Sequence, residues 1–225
     1  MFSYSVFNQN INNWDVSNIT DMRFVFSDSN FNQPLNNWDT SVATNMLAMF
    51  SSASVFNQNI NSWNVTNVIT MQDMFRNAST YNQPLASWNV DSVVNMSSMF
   101  EGATTFNQPL NTWNVSAVAN MSSMFEEASI FDQPLDNWDV SSVTLMNSMF
   151  KEAALFNQNI DNWNVAVVTN MEQMFKDAIL FNQPLNNWDT GEVLNMKEMF
   201  SGATVFNQNI DGWNTTFVTT MEEMF

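Results

Sequence analysis

MFEGATTFNQPLNTWNVSAVANMSS, residues 99–123, recurs in varied form nine times along a chain of 225 residues. Nine tryptophans set the register: Trp14, Trp38, Trp63, Trp88, Trp113, Trp138, Trp163, Trp188 and Trp213. The spacing is 24 once and 25 seven times. A Met follows each Trp by eight residues, from Met22 to Met221, and an aromatic precedes it by seven, from Phe7 to Phe206, with Tyr81 the one departure from Phe. A Gln lies two residues past that aromatic in every copy, from Gln9 to Gln208. A period of this length marks stacked repeats, each burying its apolar face on its neighbours.

The period accounts for the composition. Each unit carries Met-Phe (Val25-Phe26 in the second), a small residue, a second aromatic, Leu or Ile, Trp, two Val-like positions and another Met. The 45% hydrophobic content and the 18 Met therefore read as core, not as a cofactor box. No linker or Gly/Ser tract interrupts the array, so 1–225 reads as one elongated repeat domain of nine coils with no internal boundary. Met1-Phe2 already opens a repeat and Met224-Phe225 opens another, so both ends read as uncapped and the sequence as a segment of a longer array.

Several chemistries are disfavoured at once. Without Cys there is no disulfide framework or thiolate metal site. Without His the usual general base and the commonest transition-metal ligand are missing. The four glycines, Gly102, Gly191, Gly202 and Gly212, make no phosphate loop. No enzymatic activity and no cofactor are expected. Five basic against 22 acidic residues give a formal net charge of −17, which argues against nucleic acid, whose binding rests on clustered Lys and Arg. Six carboxylates fall in residues 1–100 and sixteen in 101–225. A solvated, repulsive face is the plain reading, and weak calcium binding the sharper one. No apolar run approaches the ~20 residues of a membrane span, so no membrane insertion is expected within this segment.

Within a unit, Met121, Met124, Phe125 and Ala128 sit at i, i+3, i+4 and i+7, the face of a short α-helix. The residue before the first Met is Asp21, Asn45, Thr70, Asn95, Asn120, Asn170, Asn195 or Thr220, each a good N-cap, with Leu145 the exception. Asp73, Gln173, Glu198 and Glu223 stand where a capping box would place its acid or amide. Next comes Phe-Asn-Gln, then Pro-Leu in five copies and Asn-Ile in four. The Gln of each copy is expected to be structural, hydrogen-bonding from coil to coil. Around Trp113 and Val115 the period becomes 2, that of a strand. All nine Trp are expected to face inward.

Asn or Asp follows every Trp: Asp15, Asp39, Asn64, Asn89, Asn114, Asp139, Asn164, Asp189 and Asn214. Parallel stacking would line these nine up about 4.8 Å apart. They are the candidate interaction surface. Around them the outward positions are small and polar, as at Asn36, Asn61, Ser62, Asn162 and Asn187, without the aromatic anchors of tight protein contacts.

The pattern Leu-x-x-Trp-x-Val resembles the Leu-x-x-Leu-x-Leu segment of leucine-rich repeats. The phrases NMSSMF (95–100), FNQPL (106–110) and WDVSSVT (138–144) resemble the repeat of BspA-like leucine-rich-repeat bacterial surface proteins. The likeness covers essentially the whole chain. It implies an α/β repeat solenoid, right-handed and leucine-rich-repeat-like, with one short parallel strand and one short helix per coil. It also implies an extracellular or cell-surface location and a role in adhesion. It carries over no catalytic residue. The expected function is a non-enzymatic structural and interaction module with a protein or surface glycan ligand. The alternative is a self-associating stalk or filament unit, stacked end to end through open solenoid ends.

Overall fold

Two sets of backbone hydrogen bonds interleave along residues 96–103. The N–H groups of Met96, Ser98, Phe100 and Gly102 donate to the carbonyls of Asn120, Ser122, Met124 and Glu126 in the next coil, at 2.8–3.0 Å. Between them, the N–H groups of Met99, Glu101 and Ala103 fold back on Met96, Ser98 and Phe100 of their own coil, at 3.0–3.3 Å. One peptide is thus a rung between coils and the next closes a turn. The computed structural model describes residues 2–225. In it the nine coils form one parallel stack, joined by isolated bridges from Asp21↔Asn45 to Asn195↔Thr220.

Such a ribbon of turns demands left-handed backbone at fixed places. In the coil that begins at Met96 these are Ser98 (φ 54°) and Gly102 (φ 66°), two and six residues on. The same two positions recur through the stack, at Ser123 and Glu127, Ser148 and Glu152, and Gln173 and Asp177. Sixteen of the described non-glycine residues adopt this conformation, which costs an L-residue roughly 1–2 kcal/mol. A positive φ at the third residue of an i→i+3 turn is the type II signature.

The expected right-handed α/β solenoid, with a helix and a strand in each coil, is therefore corrected: the described residues contain no helix and no strand longer than a single bridge. The positions assigned to capping boxes, Asp73, Gln173, Glu198 and Glu223, are left-handed turn residues. Half-buried Asp73 has its pKa raised, chiefly by burial, against the pull of Arg76. The expected N-caps carry the bridges instead. Their side chains do accept a backbone N–H two residues on, as Asn95 does from Ser97 at 2.9 Å. That bond starts a turn as readily as a helix. Trp113 and Val115 lie not on a strand but between two turns, closed by Trp113 N–H to Leu110 O and Val118 N–H to Val115 O.

Pro-Leu and Asn-Ile are two solutions to one corner. Where the corner residue is Asn, its Oδ1 accepts the N–H two residues on: Asn12 to Asn10, Asn61 to Asn59, Asp161 to Asn159 and Asp211 to Asn209. Where it is Pro, the ring fixes φ without that bond. The neighbouring stretch stacks through side chains. The N–H of Asn107 and the Nε2 of Gln108 both donate to Oδ1 of Asn82 in the preceding coil, at 3.0 and 2.9 Å. The Gln of each coil after the first, from Gln33 to Gln208, is thus a rung. Asp132 replaces Asn in one coil and still accepts both bonds, because only its Oδ1 is used.

The core between these polar rows is a set of columns. Phe75, Phe100, Phe125 and Phe150 stack at 5.6–5.7 Å with rings within 7° of parallel. Each also packs on the second aromatic of its coil, as Phe100 on Phe106 at 4.0 Å. Offset stacks of this kind add about 0.5–1.5 kcal/mol each beyond burial. Trp88 and Trp113 are 6.4 Å apart. A repeated rotation moves points far from its axis farther, so the wider spacing puts the Trp column farther than the Phe column from the axis that relates successive coils. One buried cluster runs from Ile11 to Trp213. Eight Trp are buried, but Trp14 is 47% exposed, which corrects the expectation for that residue. The other eight indoles donate to a Leu or Ile carbonyl of the preceding coil, and Trp14 lies in the first coil.

Candidate interaction surface

The nine residues singled out after Trp are all exposed, and all nine do the same work. Each Oδ1 accepts the backbone N–H two residues on, at 3.0–3.2 Å: Ser17 to Asp15, Ser41 to Asp39, Thr66 to Asn64, Asp91 to Asn89, Ser116 to Asn114, Ser141 to Asp139, Ala166 to Asn164, Gly191 to Asp189 and Thr216 to Asn214. This is an Asx turn, and it opens the corner that carries the chain from Trp back toward the ribbon. Either Asn or Asp suffices because one acceptor oxygen is all the corner takes. Hydrogen bonds from the Ser side chain and backbone lower the pKa of Asp15, Asp39 and Asp139; at Asp39 the nearby Asp15 charge opposes this.

With Oδ1 committed, the second oxygen or the Nδ2 of each residue is what meets solvent. The adjoining row is locked in the same way. Asn61 accepts from the Ser87 N–H and donates to Ser87 Oγ, both at 3.0 Å. Asn111 donates to Asp136 at 2.8 Å and Asn187 to Asp161 at 2.6 Å. The outer face is thus a lattice of side chains held by their neighbours.

Three depressions open on this face. One is lined by Pro34, Asn36, Gln58, Asn59 and Ser62. The next shares Asn59 and Ser62 and continues through Asn61, Asn64, Thr66, Ser87 and Asn89. Together they form a trough across three coils with no ionisable group in its walls. Of the predicted surface residues it brings together Asn64 and Asn89. The third, farther along, includes Asp136, Asp161, Asn159 and Asn162. Sequence reasoning named Asn36, Asn61 and Ser62 as outward but missed Asn59, whose place beside them follows from the Asn-Ile corner.

Charge is segregated. All five basic residues lie on the turn ribbon, each paired with a carboxylate: Arg23 with Asp21, Arg76 with Glu101, Lys151 with Glu126, Lys176 with Glu198 and Lys197 with Glu222. The exposed Arg23–Asp21 pair adds little stability, whereas Lys151–Glu126 and Lys176–Glu198 are partly buried. Among the described residues no three His, Cys, Asp or Glu side chains converge where a metal ion could sit. No helix among them is long and apolar enough to cross a membrane.

Comparison with curated proteins finds no match. A family model described as "Mycoplasma protein of unknown function, DUF285" matches residues 1–99, 63–154 and 131–225. The resemblance to BspA-like leucine-rich-repeat proteins is thereby corrected, since this is the family that matches and nothing in the comparisons places the chain among leucine-rich repeats. Through three overlapping segments that together span its 225 residues, the chain belongs to the family described as Mycoplasma protein of unknown function, DUF285.

Proposed function

We propose that the chain is a non-enzymatic interaction module whose outer amide face engages an extended partner at many weak points. The observation that carries this reading is the locked row itself: nine consecutive coils present an exposed Asn or Asp, each immobilised by its own corner. A surface fixed before binding loses little side-chain entropy when it binds. The trough walls hold amides and hydroxyls and no acid–base pair, which favours binding over catalysis. Display on a cell surface belongs to the same proposal, because weak contacts gain strength when many copies meet one extended ligand.

The test is density-dependent capture. Beads carrying the chain at graded density are challenged with purified extracellular proteins and with immobilised glycans. The proposal expects retention of at least one class, rising steeply with density. No retention at any density, or turnover of a panel member, contradicts it. Protease shaving of intact producing cells checks the location: cleavage is expected, and full protection contradicts surface display.

A further inference from the structure

The trough of the third coil has a chemical bias that narrows its ligand. Asn59, Asn64 and Asn89 each use Oδ1 to accept a backbone N–H, from Asn61, Thr66 and Asp91. The structure gives their Nδ2 groups no protein partner among the described residues. All three line the trough, so three amide donors are left for a ligand. Around them stand the hydroxyls of Ser62, which donates to Asn36 O, of Ser87, which accepts from Asn61, and of Thr66. No carboxylate, Lys or Arg belongs to either basin. Trp63 and Val65 also line it but are 3% and 1% exposed, so they offer an edge rather than a platform.

From this we propose that the trough binds a neutral, unbranched oligosaccharide lying across the coils, its hydroxyl and ring oxygens accepting from Asn59, Asn64 and Asn89. A hydroxyl both donates and accepts, so it satisfies the amide N–H groups and the Ser and Thr hydroxyls together. An anionic chain would meet a protein of net charge −17, and like charges repel. A protein partner would want an aromatic or aliphatic anchor pocket at the centre of its contact, which neither basin has. The two basins, about 570 and 460 Å³, meet at Asn59 and Ser62 and so form one continuous bed. The inference rests on the interaction-module reading above and assigns the ligand class of part of that face.

The repeat supplies its own fold-preserving variant. Asp occupies the position of Asn64 and Asn89 in four other coils, at Asp15, Asp39, Asp139 and Asp189, and makes the same corner. The double variant Asn64→Asp, Asn89→Asp therefore keeps the Asx turns and removes two donors. The probes are cellohexaose, maltohexaose, laminarihexaose and chitohexaose, titrated to millimolar concentration while side-chain amide resonances are followed by NMR. At least one probe should shift the Asn59, Asn64 and Asn89 amides. The double variant should bind it about tenfold more weakly, the effect of two lost neutral hydrogen bonds, with an unchanged melting temperature. No shift with any probe, or equal binding by the double variant, overturns the proposal. If the hexasaccharides fail while the bead assay still retains a protein, the ligand class is wrong and the module reading stands; if both fail, both fall.

Discussion

The indole Nε1 of Trp113 donates to the carbonyl of Leu85 in the preceding coil at 3.0 Å. Leu85 also holds its own turn, accepting the N–H of Trp88. One aromatic thus ties a turn of its neighbour into the core. Trp113→Ala should cost about 3–5 kcal/mol, the usual loss for a buried large aromatic. Trp14→Ala, at a half-exposed indole without such an acceptor, should cost less. Chemical denaturation of the two variants reads the difference, and equal losses would contradict the packing.

Tyr81 is fully buried in a column otherwise made of Phe, and its hydroxyl has no hydrogen-bond partner. Burial also pushes its pKa up. An unsatisfied buried polar group costs about 1–3 kcal/mol. Tyr81→Phe should therefore stabilise the protein, by about 1 kcal/mol, seen as a higher denaturation midpoint. A lower midpoint would mean the hydroxyl has a partner in solution.

Gly102 and Asn77 occupy the same left-handed position in adjacent coils. A Cβ on Gly102 would lie 2.2 Å from Asn77 Oδ1. Gly102→Ala adds that clash to the strain of a positive φ, and should cost about 1–3 kcal/mol. Adding Asn77→Ala should recover part of the loss, because the oxygen that clashes is gone. A double-mutant cycle measures this, and strictly additive losses would show that the two side chains do not meet.

The acid limb of stability should report the Asx corners. Asp15, Asp39 and Asp139 have lowered pKa values through hydrogen bonds from Ser17, Ser41 and Ser141. Their contribution is present above the ordinary Asp value of about 3.9 and is lost as pH falls through the lower folded values. Replacing all three by Asn keeps each acceptor oxygen and removes the titration. The triple variant should lose less stability than the parent on acidification below about pH 4. Identical pH profiles would contradict these assignments.

Much of the architecture was legible because each apolar position has one job. Trp and Met gave the register, and Phe100, Phe106, Leu110, Trp113, Val115, Val118 and Met121 are all core. The local backbone was not legible, and the reason is geometric. A ribbon whose left-handed residues recur every four positions, as at Ser123 and Glu127, sends Met121, Met124, Phe125 and Ala128 inward. That is also the pattern of a helix with 3.6 residues per turn. Asn120 sharpened the ambiguity, since its bond to the Ser122 N–H belongs equally to an Asx turn and to an N-cap. The positive φ values gave no warning because most fall on Ser, Asp, Glu and Gln rather than Gly. At the surface, Asp15 through Asn214 were legible as one exposed column. Their structural role was not read, although Asn or Asp and no other residue after all nine Trp is the mark an Asx turn leaves.

The turn ribbon is tested most directly by through-hydrogen-bond NMR couplings between backbone nitrogen and carbonyl carbon. The predicted set links Met96 to Asn120, Ser98 to Ser122 and Phe100 to Met124, across coils. Couplings from residue i to i−4 within 121–128, the signature of an α-helix, would contradict it.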